Sequence, residues 1–328
     1  MLNTYNPVFN RAYDDMIRKL ELCGVVPLVI IEDQANALPL AGALLGADLR
    51  VAEITFRTPC AADVIRVLST RCSNLIVGAG TVLDCKQVQD AYNAGAKYIV
   101  TPAFNPDVVD RCIELGIPVF PGCSNASDVD QAYSRGLRVV KFFPSELLGG
   151  IKMLKALSGP YPFMKFIPTG GIGLDNLASY LSFSKVLCCA GTFIASSESL
   201  NKGCFAEITR TAHAAVEEVL SLKLDHIAIN ADAGNDTDIL KGFSRFAGKI
   251  YDPTENPVFG VEAVKNSGRN ALGAIVYSSP NLERCVYYLK NRGFCVDESA
   301  SVKDGSRLTE IYLTAKFGGF EIKIIKKQ

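Results

Sequence analysis

From Val25 to about Ala195 the chain alternates two patterns: short runs rich in β-branched and apolar residues, and stretches in which apolar residues recur at helical spacing. The apolar runs are VVPLVII (25 to 31), VAEIT (51 to 55), LIVGAG (75 to 80), YIVT (98 to 101), PVFPG (118 to 122), VVKFF (139 to 143), FIPTGG (166 to 171) and VLCCAG (186 to 191). Helical stretches such as 35 to 45, 61 to 68, 86 to 94, 107 to 115 and 176 to 181 separate them. Successive runs start 20 to 27 residues apart, the length of a tight βα unit, and strands alternating with helices predict a parallel sheet. Eight equal units favour a closed (β/α)8 TIM barrel over an open sheet.

Helical patterns also flank the barrel, over 10 to 23 and 200 to 220. At Lys223 the pattern changes. LDHIAINAD (224 to 232), a helix-like DILKGFSRFAG, GAIVYSS, a helix-like NLERCVYYLKNRG and LTEIYLTAKFGGFEIKIIKK predict an α+β module of two β-α-β units with antiparallel strands following, a weak internal duplication. The expected domains are therefore 1–222 and 223–328, which suits a 328-residue chain, longer than one typical domain.

Composition narrows the function by exclusion. Hydrophobic residues make up 48% and charged residues 21%, enough apolar material for a large core. Lys+Arg and Asp+Glu balance at 34 each, so no global field favours nucleic acid or an anionic membrane, and any anion must be held locally. The N-terminus carries acidic residues without a signal-peptide apolar run, and no 18-residue apolar stretch follows, so a cytoplasmic location is expected. The 11 cysteines form no C-x-x-C pair and read as reduced core residues. Neither histidine, His213 or His226, falls among the barrel strands, so a catalytic divalent metal is poorly supplied; no cofactor and no metal are expected.

Position sorts the remaining polar residues, because in such a barrel the carboxyl ends of strands face the active-site mouth. Lys97, Lys165 and Lys185 precede their strands and should lie at the opposite end. Lys141 alone sits inside a strand, near its carboxyl end, between two valines and two phenylalanines. Burial there lowers an amine's pKa, and a neutral amine attacks carbonyls. Glu53, inside VAEITFRT, is a second charge within a strand, with Arg57 four positions on; a carboxylate beside a Schiff base can move its protons. The alternatives are a snorkelling lysine and a structural Glu–Arg or Glu–Lys pair. The glycine-rich turns PTGGIG (168 to 173) and CAGTF (189 to 193) follow the seventh and eighth strands, where this barrel commonly binds phosphate through backbone N–H groups. Thr81 and Thr169 add hydroxyls and Pro102 shapes the wall.

Taken in order, AEITFRT, VGAGTV, VTPAF, PGCS, VKFFPSE, PTGGI and CCAGTF resemble the 2-keto-3-deoxy-6-phosphogluconate (KDPG) / 2-keto-4-hydroxyglutarate (KHG) aldolase family over about residues 15 to 215. The resemblance implies a class I aldehyde-lyase of carbohydrate metabolism, in the Entner–Doudoroff pathway. It would cleave a 2-keto-3-deoxy-6-phospho sugar acid to pyruvate and glyceraldehyde 3-phosphate, as a homotrimer. It makes Lys141 the Schiff-base lysine and Glu53 the general acid/base, with Arg57, Thr81 and Thr169 at the pyruvate carboxylate. Pro102, Phe143 and Gly191 complete the substrate-binding set, and Gly170, Gly171 and Thr192 serve the phosphate end. Glu32 and Asp33 after the first strand depart from the basic residue of many relatives, which leaves KHG and the 6-phosphogalactonate epimer as alternative substrates. A non-catalytic phosphosugar-binding regulator is the alternative of another class. LDHIAI and GGFEIKII resemble the glyoxalase-like (vicinal oxygen chelate) fold, in whose metal-binding members His226 and Glu321 would be ligands; Gly273 near another ligand position implies a degenerate module.

Overall fold

The computed structural model describes residues 6–231, 236–246, 252, 257, 260–265 and 272–327. Residues 232 and 247–248, at the ends of two stretches read from the sequence, lie outside that set. The chain divides into two compact units, Met1–Val219 and Leu220–Gln328.

The first unit contains β1 (Val25–Val29), β2 (Val51–Thr55), β3 (Ile76–Gly80), β4 (Ile99–Val100), β5 (Val119–Phe120), β6 (Gly122–Cys123), β7 (Val139–Phe142), β8 (Lys165–Pro168) and β9 (Cys189–Gly191). Parallel pairings run from β5 through β4, β3, β2 and β1 to β9, and from β6 through β7 to β8. Bridges Phe166↔Val186 and Thr169↔Ala190 join the β8 edge to the β9 segment, and β5 continues into β6 across Pro121, which closes the ring. Proline has no N–H for the ladder, so the expected strand 118–122 is two short segments. The strand expected at 98–101 is reduced to two residues because the Thr101 hydroxyl, rather than a backbone carbonyl, accepts the Gly122 N–H at 3.2 Å.

Helices α2 (Ala37–Gly46), α3 (Ala61–Arg71), α4 (Cys85–Ala94), α5 (Pro106–Leu115), α6 (Ala126–Ser134), α7 (Gly150–Ser158) and α8 (Leu174–Leu181) follow strands in turn. Their starts are written locally: Asp84, Asn105 and Asn125 are N-caps whose side chains accept from the first helical N–H groups. Helix α1 (Pro7–Cys23) lies at the amino ends of the strands. Its buried Tyr13 hydroxyl accepts from the Val139 N–H at 3.0 Å, and its Glu21 pairs with Lys165, the first residue of β8. Two helices, α9 (Ser197–Asn201) and α10 (Phe205–Leu220), complete the unit. Its interior is filled by residues such as Val26, Leu28, Val77, Phe120 and Phe166, all essentially inaccessible.

The second unit is a mixed sheet of β10 (Lys223–Ala231), β11 (Val261–Lys265), β12 (Gly273–Ser279), β13 (Val302–Asp304), β14 (Arg307–Phe317) and β15 (Phe320–Lys326), with α11 (Asp236–Phe246) and α12 (Leu282–Asn291). The strand order is β11-β10-β12-β15-β14-β13. β10 runs parallel to β11 and β12 parallel to β15, each pair spanned by a helix, while β10–β12, β14–β15 and β13–β14 are antiparallel. The second pair departs from the expected β-α-β unit with antiparallel strands following, because β13 and β14 are inserted between α12 and β15. All 11 cysteines are free, but the expectation of core residues needs correction. Cys85, opening α4, and Cys295, in the turn after α12, are exposed, and Cys60, Cys72 and Cys204 are half-buried. Apolar flanking sequence does not bury a residue at a helix start or in a turn.

Candidate active site

Lys141 lies on β7 with only 3% of its surface exposed, and Glu53 on β2 with 2%. Strand alternation explains both. Val140 and Phe142 point to the helical side of β7, leaving Lys141 and Phe143 on the other face. Lys141 is in register with Gly122 and Ile167, and its Nζ lies 5.1 Å from the Phe143 ring centroid. Glu53 is in register with Leu28 and Gly78.

The glycines around these two residues make room for them. A methyl at Gly80 would fall 2.2 Å from Glu53 Oε1, and one at Gly122 would fall 2.2 Å from the Pro102 carbonyl oxygen. Glycine at 80 lets the carboxylate lie against β3, and glycine at 122 lets the Pro102 loop close beside the lysine strand. Neither residue was singled out in the sequence; the signal was a small residue in register with a charged strand residue, as Gly122 is with Lys141, or two positions past its register partner, as Gly80 is past Gly78 opposite Glu53. Glu53 Oε1 is buried and, among the described residues, has no hydrogen-bond partner.

The electrostatics follow from this burial. Loss of water pushes the Glu53 carboxyl up from its ordinary value, opposed by attraction to Lys141 and then to Arg57. Loss of water pushes the Lys141 amine down, opposed by Glu53 and reinforced by the like charge of Arg57. Both groups are biased toward their neutral forms, an amine able to attack a carbonyl and an acid able to give a proton. Arg57 itself is exposed, in the loop after β2.

The other expected residues ring the same end of the barrel. Thr81, half-buried with φ of 54°, follows β3, and Pro102, half-buried, follows β4. Thr169 is 3% exposed, its hydroxyl 3.3 Å from the Ile167 carbonyl. Gly170 and Gly171 follow with φ of 90° and 81°, left-handed conformations suited to glycine. The Phe143 ring lies 3.2 Å from where a Gly170 methyl would be. Gly191 ends β9 beside the Ile172 carbonyl, and Thr192 is exposed. Among the described residues, the Gly171, Ile172 and Thr192 N–H groups have no acceptor in the protein, as an anion site at the β8 and β9 turns requires. Glu32 and Asp33 are exposed after β1; Asp33 accepts from the Ala35 N–H, and Asn201 donates to Glu32 at 3.3 Å.

The model of the KDPG and KHG aldolases matches residues 16–211. The chain belongs to this aldolase family. A 2-dehydro-3-deoxy-phosphogluconate aldolase from Treponema pallidum (strain Nichols) is 44% identical over 190 residues, 58% of this chain and 90% of that protein. Among solved structures, a Legionella pneumophila KDPG aldolase, with pyruvate captured as a covalent carbinolamine intermediate, is 35% identical with a TM-score of 0.57. It covers 58% of this chain and 93% of its own. A Zymomonas mobilis KDPG aldolase with 3-phosphoglycerate is 35% identical with a TM-score of 0.58, covering 61% and 94%. The aldolase region ends in α10, short of the second unit.

In that second unit a cavity of about 190 Å³ is lined by His226, Asn230, Glu262, Tyr312, Glu321 and Lys323 over small apolar residues including Ala228, Ala274 and Val276. Both His226 ring nitrogens face carboxylates, Nδ1 at 2.7 Å from Asp225 and Nε2 at 2.8 Å from Glu262. Lys323 pairs with Glu310 at 2.9 Å. Among the described residues no group of three or more His, Cys, Asp or Glu is arranged to hold a metal ion. Nor, among the described residues, is any helix long and apolar enough to cross a membrane.

Proposed function

We propose that this chain is a class I aldolase that cleaves KDPG to pyruvate and glyceraldehyde 3-phosphate, with Lys141 as the Schiff-base lysine and Glu53 as the proton carrier. The observation that carries the reading is the pair itself: two ionisable groups nearly inaccessible to water at adjoining parts of one barrel mouth, one with an unpartnered carboxylate oxygen. Burying two ionisable groups is costly, and perturbed pairs of this kind in a cleft cluster at functional sites.

The chemistry runs as follows. Neutral Lys141 Nζ adds to the C2 carbonyl, forming a C–N bond; the Glu53 acid gives its proton to the carbinolamine hydroxyl, which leaves as water, so that a protonated imine and a Glu53 carboxylate remain. The Glu53 carboxylate accepts the C4 hydroxyl proton as the C3–C4 bond breaks, its electron pair passing into the imine to give an enamine and free aldehyde. Glu53 then returns the proton to the enamine carbon, and water releases pyruvate and the amine. Arg57, Thr81 and Thr169 hold the pyruvate carboxylate, Pro102 and Phe143 form the wall, and Gly170, Gly171, Gly191 and Thr192 bind the phosphate. The relative solved with 3-phosphoglycerate supports a phosphorylated three-carbon product. The test is cleavage of KDPG, its galactonate epimer and KHG followed by pyruvate release. KDPG should give the highest kcat/KM, and preference for KHG would reassign the substrate.

We further propose a cytoplasmic homotrimer whose second unit, 223–328, is a glyoxalase-like module without catalytic metal. The engagement of both His226 nitrogens by carboxylates supports this. Light scattering of the full chain reads the first point, and metal analysis of the purified protein the second.

A further inference from the structure

The loop after β7 and the glycine turn after β8 are joined beyond the ends of their strands. Ser145 N–H donates to the Thr169 carbonyl at 2.8 Å and Glu146 N–H to the Gly170 carbonyl at 3.1 Å. Both segments are also gripped by one helix, α8. Its Asn176 side chain donates to the Gly171 carbonyl at 2.8 Å and accepts from the Gly173 N–H at 3.0 Å, fixing the glycine turn. One turn further along α8, Tyr180 reaches the other segment. Its ring is 1% exposed, and its hydroxyl meets Ser145 Oγ at 3.0 Å and donates to Glu146 Oε1.

Two glycines let the elements of this knot approach closely. A methyl at Gly150, the first residue of α7, would stand 2.7 Å from the Tyr180 oxygen and 3.0 Å from Glu146 Oε1. One at Gly171 would stand 2.5 Å from Glu146 Cγ. Ser145 is wholly buried, so its hydroxyl has no solvent to turn to if the phenol oxygen is lost. Burial, and then the Glu146 hydrogen bond, push the phenol up to about 12, so it remains the donor throughout any working range. The glycine turn carries the N–H groups assigned to the distal anion, while the other segment continues from Lys141. Their separation sets the span between the lysine nitrogen and the anion subsite.

We propose that Tyr180 is a positioning residue: acting through Ser145 and Glu146, it locks the lysine-strand loop to the glycine turn and so sets affinity for the distal phosphate of the substrate. The proposal rests on the aldolase reading above. A buried phenol touches no substrate, so its loss leaves imine formation intact and weakens only the interaction that depends on the span.

The experiment uses the full chain carrying Tyr180→Phe, which removes one oxygen and keeps the ring. Steady-state kinetics with KDPG and with unphosphorylated 2-keto-3-deoxygluconate are compared, alongside borohydride trapping of pyruvate. KM for KDPG should rise about tenfold, the effect of one lost charge-assisted hydrogen bond, with trapping and KM for the unphosphorylated acid within about twofold. Glu146→Gln, which keeps an acceptor for the phenol, should raise KM for KDPG less, and reads the same linkage should Tyr180→Phe fail to fold. An unchanged ratio of the two KM values, or an equal loss of trapping and of both activities, overturns the proposal. Absence of trapping in the unsubstituted chain removes the aldolase reading and this inference together.

Discussion

Gly80→Ala tests the site with a single methyl group. Gly80 ends β3, and its φ lies outside the left-handed region, so alanine is compatible with the backbone and the effect is confined to what the methyl meets. It meets Glu53: 2.2 Å to Oε1 and 2.8 Å to Cδ and Cγ. Ordinary contact needs about 3.5 Å, so the carboxylate must retreat by roughly 1 Å or more. Because Oε1 has no hydrogen-bond partner among the described residues, that retreat breaks none of their hydrogen bonds at this atom, and stability should fall by only about 1 kcal/mol, the low end of overpacking costs. Proton transfer is less tolerant, since a displacement of about 1 Å in a reacting group can cost about 100-fold in rate. The assay is exchange of the pyruvate methyl protons for deuterium, followed by NMR, beside borohydride trapping of pyruvate on the same protein. Exchange should fall about 100-fold while trapping, which needs Lys141 on a different strand, is retained. Unchanged exchange would refute the assignment of Glu53 as proton carrier, and equal loss of both would mean the methyl acts on the fold.

The Glu53–Arg57–Lys141 arrangement predicts opposite pH shifts. Glu53 raises the Lys141 pKa and Arg57 lowers it, so Glu53→Gln should move the acid limb of adduct formation to lower pH and Arg57→Met should move it to higher pH; parallel shifts would contradict the electrostatic account. In the second unit, Lys327 and then His226 hold the Asp225 carboxyl below its ordinary value. Folded-state depression adds stability above the unfolded pKa and loses it as pH falls through the folded one. Lys327→Met should therefore cost less than about 1 kcal/mol near neutrality, Lys327 being more than half exposed, with the difference vanishing in acid; thermal melts across pH read it. Gly122→Ala, against the rigid Pro102 carbonyl, should destabilise by about 1–3 kcal/mol and lower the melting temperature more than Gly80→Ala does. Metal analysis of the full chain should find no stoichiometric zinc, iron or manganese; one equivalent abolished by His226→Ala would overturn the metal-free reading of the second unit.

Much of the barrel was legible because its signals are local. Parallel strands buried on both faces read as unbroken apolar runs, and the apolar residues at helical spacing between them mark the helices. Lys141 and Glu53 stood out for the same reason, as charges breaking runs that should have none. The breaks in β4 and β5 were not visible, since they depend on a threonine hydroxyl replacing a backbone acceptor and on a proline within an otherwise good strand. Nor was the Tyr180 knot legible: its partners lie 34 and 35 positions away, and a tyrosine on an amphipathic helix reads first as core. Gly80 and Gly122 could be understood only once register set each against a neighbouring strand or loop.

Peptide mapping after borohydride reduction of the full chain with pyruvate identifies the lysine that forms the imine. With Lys141 as the Schiff-base residue, a single reduced adduct appears on the peptide containing Lys141 and is lost in Lys141→Arg. A reduced adduct on another lysine, or none under conditions where the protein cleaves KDPG, would rule out that assignment.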